Sequence, residues 1–213
     1  MFQASESLLQ DCHKYGAIPF STMARIAFIG TILLKSLLKE KKISQIFYDN
    51  FMSSIQTTVT KFQTDLQLYH EKKLSKKQFL EKYGHLRPGT YDITALRYDQ
   101  NEGFFNKIHS VNPIISKPHH KKFKINDLKE NPLNFKTIEF LEFVKKSLIQ
   151  REELKFQFTH NLSDALEYTV LACEELGLSR EEIVNLDIKT IFSLYKKCKK
   201  SELKKILKKQ NIM

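Results

Sequence analysis

Residues 82–98 read KYGHLRPGTYDITALRY, and it is here that the chain stops being able to form regular structure. Gly84 and Gly89 leave the backbone too free, and Pro88 fixes its φ and removes a donor, so neither helix nor strand passes through. To either side, apolar residues recur at intervals of three and four, the spacing that turns one face of a helix toward a core. Between the breakers lie His85, Arg87, Tyr91, Asp92 and Arg97, donors and acceptors suited to holding an anion or moving a proton. Arginine is scarce: Arg25, Arg87, Arg97, Arg151 and Arg180 are all there are, and the rest of the 35 basic residues are lysine. Each arginine therefore stands out as a candidate for planar, bidentate recognition.

Upstream of this stretch, Ile26, Ile29, Leu33, Leu34, Leu37 and Leu38 predict a helix over 21–39, with Pro19 as its start signal. Ile46, Phe47, Met52, Ile55, Val59, Phe62, Leu66 and Tyr69 predict a second over 44–72, and a short third runs from Ser75 to Gly84. Downstream, 99–134 is poorly periodic and broken by Pro113, Pro118 and Pro132, so it reads as a loop or lid. A long helix over 135–158 follows, then a new one capped by Asn161 or Ser163 and closed by Gly177. Ser179 with Glu182 three residues later is a capping box, and two short helices over 188–197 and 201–210 finish the chain, the last in a lysine-rich C-terminal segment, 196–213. With no strand alternation and no repeat, the expectation is a single all-α or nearly all-α domain over 1–213.

A chain of 213 residues with 41% hydrophobic and 11% aromatic content has enough apolar side chain to fold around a core. The longest apolar run, Ile26 to Leu34 between Arg25 and Lys35, is about half of the ~20 residues that span a bilayer, so no membrane contact is expected. The N-terminus lacks a basic stretch followed by a long apolar one, and Cys12, Cys173 and Cys198 are odd in number and scattered, which points to a reducing cytoplasm. The net charge of +11 is concentrated in Lys117–Lys124 and Lys196–Lys209. It lacks the interleaved aromatics of nucleic-acid modules, and compositional bias toward lysine accounts for it. No G-x-x-x-x-G-K-[ST] or G-x-G-x-x-G occurs among the 6 glycines, so the chain is not expected to hold ATP by itself. No Cys/His pair has zinc spacing, and His119 and His120 lie among lysines, so no metal is expected either.

The stretch 82–98 resembles a segment in the central domain of the phosphoenolpyruvate-synthase-like phosphotransferases, the modular enzymes that include rifampin phosphotransferases and L-glutamine kinases, with their YGH-x-x-P-G-x-Y-D/E pattern and an arginine a few residues on. Two further blocks are similar to the same domain: ARIAFIGTILLKSL at 24–37, and REELKFQFTHNLSDALEYTVLACEELGLSREEIVNLDI at 151–188. The resemblance implies a relay in which an ATP-grasp domain, with ATP and Mg, phosphorylates a histidine on a mobile domain that then delivers the group to a small polar acceptor. Neither of those domains is recognisable here, so both are implied as partners, on the same polypeptide or on another. The alternative is a non-catalytic helical module that contacts nucleic acid or an acidic partner through its lysines.

Arg151 and Lys155, four apart on a helix, put two cations on one face, an arrangement that an anion between them would relieve. In the resembling family these positions belong to the phosphoryl-acceptor site; on spacing alone, Glu152 and Glu153 make them an ordinary solvated face. His85 is a candidate general base, or a loop-tying donor. Arg87 and Arg97 either bind a substrate anion or staple the loop to helix C-termini. Tyr91 and Asp92 orient these groups, though an Asx turn explains Asp92 as well. Arg25 is a buried carboxylate partner or a snorkelling residue.

Overall fold

The computed structural model describes residues 1–108, 136–197 and 200–210. Of the described residues 76% are helical and none is in a strand, so the fold is all-α. The helices are α1 (Phe2–Asp11), a π-helical turn (Cys12–Ala17), α2 (Ile18–Lys39), α3 (Gln45–Ser54), α4 (Thr58–His70), α5 (Lys76–Tyr83), α6 (Glu102–Ile108), α7 (Thr137–Glu174), α8 (Arg180–Ile183), α9 (Ile188–Lys197) and α10 (Lys200–Gln210).

The chain forms two compact units, each from separated stretches of sequence. The first comprises Met1–Gly16, Lys76–Ser110 and Gln157–Met213. Its core gathers Phe2, Val170, Cys173, Leu178, Ile191 and Leu203, and so joins α1, the second half of α7, α9 and α10. Here Gly16 is required by a close approach: a Cβ added to it would lie 2.4 Å from Phe158 Cβ, which only a glycine avoids. The π turn also sets Cys12 Sγ 3.7 Å from the Phe158 carbonyl. The second unit comprises Ala17–Ser75 and Val111–Phe156. Leu34 and Leu37 of α2, Phe47 and Phe51 of α3, and Phe140 and Val144 of α7 meet in its core.

Several helix ends differ from the sequence reading. The helix expected over 44–72 is two: Ser44 caps α3 by accepting from Phe47 N at 3.1 Å, and the chain leaves the helix at Ile55 before α4 begins. The break expected at Asn161 or Ser163 is absent, and α7 runs unbroken through both. Its end does follow the sequence, because Gly177, at φ +75, sits in a Schellman closure with Gly177 N on Glu174 O at 2.8 Å and Leu178 N on Cys173 O at 3.1 Å. The Ser179–Glu182 capping box forms as expected. Of the expected loop or lid over 99–134, residues 99–108 are described and include α6; the rest, with His119, His120 and the Lys117–Lys124 cluster, lies outside the described residues.

The N-terminal helix carries apolar side chains on its outer side. Ile18, Phe28, Ile29 and Ile32 are each more than half exposed (52%, 57%, 55% and 61%). Because Phe2–Lys39 is one continuous helical stretch of 38 residues, it contains a window of mean hydropathy 1.7 and is, by length and composition only, able to cross a membrane. The run Ile26–Leu34, counted between charges, understates this.

Gly84 ends α5 under tight constraint. A Cβ there would stand 2.4 Å from the Leu80 carbonyl oxygen, the same oxygen that accepts from Gly84 N at 2.7 Å. Gly84→Ala should therefore lower stability by about 1–3 kcal/mol, read as a lower urea midpoint with unchanged slope.

Candidate functional site

The loop after α5 is irregular but not loose. Its ends are pinned by Tyr98 N donating to Leu86 O at 2.8 Å and Asp99 N to Gly84 O at 3.1 Å. Asp92 Oδ1 accepts from Thr94 N at 2.9 Å and Thr94 Oγ1 at 2.6 Å, the Asx turn that was one of its two readings. Those bonds hold the Asp92 carboxyl below its ordinary range. Tyr91 points outward, 69% exposed.

Arg87 lies beneath this turn with its side chain 1% exposed. Its Nη1 donates to the carbonyls of Asp92 and Ala95, both at 3.2 Å. Its Nη2 donates to Glu167 Oε1 at 2.9 Å, Ser163 Oγ at 3.0 Å and Ser163 O at 3.2 Å. Nε is buried and finds no partner among the described residues. Glu167 is shared, because Arg180 grips it with both terminal nitrogens, at 3.1 and 2.8 Å, and Gln100 Nε2 donates to Oε2 at 3.0 Å. Burial pushes the Glu167 carboxyl up, but the bonds from Arg180 and Gln100 and the charges of both arginines outweigh it and hold the group ionised below its usual value.

Arg97 is bidentate to Asp99, with Nε on Oδ1 at 3.1 Å and Nη2 on Oδ2 at 2.8 Å, and its Nη1 bonds Asp164 of α7. Burial acts to lower its pKa, and Asp99 and Asp164 reverse that to a net rise. Both loop arginines are thus staples, but they fasten the loop to the middle of α7, not to helix C-termini as one reading expected. Ser163 adds a third staple by donating to the His85 carbonyl at 2.6 Å. That contact explains why Ser163 caps no helix, since its hydroxyl serves a tertiary bond.

His85 is 4% exposed, with its ring 4.5 Å from that of His160. Burial, and then the charges of His160 and Arg97, push its pKa down to about 4, with Asp164 opposing. The imidazole is neutral at pH 7, and its basicity lies below the near-neutral value that suits general-base work.

The remaining candidates belong to the second unit. Arg151 and Lys155 sit one turn apart on α7 and are both half-buried. The Arg151 guanidinium bonds Glu152 and lies 5.8 and 5.6 Å from the ring centroids of Phe20 and Phe28. Its Nε is buried without a partner among the described residues. Glu153 Oε2 accepts from Thr58 Oγ1 at 3.3 Å. Arg25 is exposed on α2, which is not the buried partnership that one reading gave it.

Sequence reasoning did not single out Asp164, Glu167 or Gln100, and it gave Arg180 no role. One signal was present: Asp164 and Glu167 are three apart, hence on one helix face, in a chain whose few arginines need fixed carboxylates. Among the described residues, no group of three His, Cys, Asp or Glu side chains is placed to hold a metal ion. Protein-family models, curated proteins and solved structures contain no match to this chain.

Proposed function

We propose that this chain is the helical, acceptor-substrate-binding domain of a phosphohistidine-relay phosphotransferase resembling phosphoenolpyruvate synthase, acting with ATP-grasp and phosphohistidine domains on a small polar acceptor. The observation that carries the reading is that each of the two shorter resembling blocks is fastened to the third, 151–188, by specific contacts within its own unit. Residues 82–98 are fastened to 151–188 through Arg87–Glu167, Arg97–Asp164 and Ser163–His85. The block 24–37 meets 151–188 where Arg151 lies over Phe28.

In this reading Arg151 and Lys155 steady the transferred phosphoryl group, whose equatorial oxygens carry charge that fixed cations stabilise. Arg87 and Arg97 hold the loop in shape through their carboxylate partners. Arg25, exposed in the same unit as Arg151 and Lys155, supplies a polar contact to substrate.

The test uses the full chain supplied with its partner domains. Lys155→Met keeps the aliphatic stem and should cut transfer to the acceptor on the order of 100-fold, while phosphohistidine formation from ATP continues. Arg151→Met should act alike, and the double variant should lose much less than the product of the two. Near-normal transfer by either variant, with folding confirmed by circular dichroism, would return the pair to a solvated helix face.

A further inference from the structure

The outer face of α2 combines two chemistries. Helical spacing aligns Phe28, Ile29 and Ile32 on one side, and their exposure confirms that this side faces outward. Along the same side, Arg25 precedes them by about one turn, and Lys35 and Lys39 follow. All three bases are exposed, and α2 contains no acidic residue from Ile18 to Lys39. The opposite side is occupied: Ala27, Gly30, Leu34 and Leu37 are buried, and a Cβ added at Gly30 would touch Phe143 and Val144 at 3.2 Å.

A core helix would bury its apolar window, yet only 17% of the most apolar window in this helix is buried. A helix that spans a bilayer would have to leave the core to which Leu34 and Leu37 bind it. Pairing with a second copy would set Arg25, Lys35 and Lys39 against the same bases in a chain of net charge +11, which like-charge repulsion opposes. What fits is a surface that is apolar beneath and anionic at its rim.

We propose that the Ile18–Lys39 helix docks this face on an anionic lipid bilayer surface. Phe28, Ile29 and Ile32 enter the headgroup–acyl boundary, and Arg25, Lys35 and Lys39 pair with lipid phosphates, while the helix stays packed on its own core. Arg25 serves both here and in the phosphotransfer reading, whereas Ile29, Ile32, Lys35 and Lys39 serve here alone.

The experiment is cosedimentation of the full chain with phosphatidylcholine vesicles, with and without phosphatidylglycerol at roughly one lipid in three. The chain should bind the anionic vesicles roughly 10-fold or more tightly than the neutral ones, with the preference shrinking as salt rises. Ile29→Ser/Ile32→Ser removes apolar surface without changing charge, and should weaken binding roughly 10-fold with unchanged circular dichroism. Lys35→Gln/Lys39→Gln should weaken binding to anionic vesicles and leave the weak binding to neutral ones alone.

Absence of binding to either vesicle would overturn the proposal. So would undiminished binding by the serine variant, because adsorption would then run through lysines elsewhere. A wild-type dimer in light scattering that the serine variant abolishes would instead assign the face to a second copy of the chain.

Discussion

Glu167→Gln is expected to destabilise the protein by about 3–5 kcal/mol, because it leaves a buried guanidinium without its counter-charge. Arg87 cannot turn to solvent, since its side chain is 1% exposed, and although burial lowers its pKa a guanidinium keeps its proton at neutral pH, with four of its bonds going to neutral oxygens. The glutamine amide makes matters worse. One of its two heads becomes a donor, and every present partner of Glu167, namely Arg87, Arg180 and Gln100, is itself a donor. Urea unfolding measures the loss. The more exposed Arg97–Asp99 pair is the internal comparison: Asp99→Asn should cost less than about 1 kcal/mol. A Glu167→Gln loss no larger than that would mean that carbonyls alone satisfy Arg87. In a cycle with Arg87→Met, the two losses should not add, because each variant removes the same ion pair.

The second large effect is one of pH. In the folded protein the His85 imidazole stays neutral down to about pH 4, whereas in the unfolded chain it takes up a proton near its ordinary 6.5. The unfolded state therefore binds more protons between those values, and stability climbs with pH across that window. The contribution is complete above pH 6.5 and drains away as pH falls toward 4, by on the order of 3 kcal/mol in all. Glu167 and its arginines act in a lower window, because a carboxyl held below its ordinary range gives up its stabilisation only as pH falls through the acid values. His85→Asn should consequently flatten the rise in urea midpoint between pH 4 and 6.5 and leave the acid-most part of the curve in place. A curve with the same slope in both proteins would place the proton uptake on another group.

What the sequence disclosed and what it hid follow the range of the interactions involved. Helix α10, the capping box at Ser179 and the closure at Gly177 were legible because the residues that decide them lie within a few positions of one another. The unbroken α7 was not, since Ser163 looks like a cap until its hydroxyl is seen donating to the His85 carbonyl, 78 residues away. The same distance hid the carboxylates. Arg87 stood out as a scarce guanidinium, but whether it faced substrate or protein depended on Glu167, which in sequence is one acid in an apolar block. The loop at 84–101 was recognised as irregular from its glycines and proline, while its firmness comes from partners in α7 that no local pattern names. The first helix was missed because its anchors are also distant, with Ser5 Oγ bonded to Ala165 O at 2.8 Å.

That last bond sets an order on synthesis. Once the ribosome has made Ser5, its acceptor follows only 160 residues later, on the order of ten seconds or more at ordinary elongation rates. Through that interval Phe2 and its neighbours have no native partner, whereas the unit of Ala17–Ser75 and Val111–Phe156 has all its sequence as soon as residue 156 is out. The Phe2–Asp11 helix is thus made well before the part of α7 that it docks against, and it waits undocked through the whole of that interval.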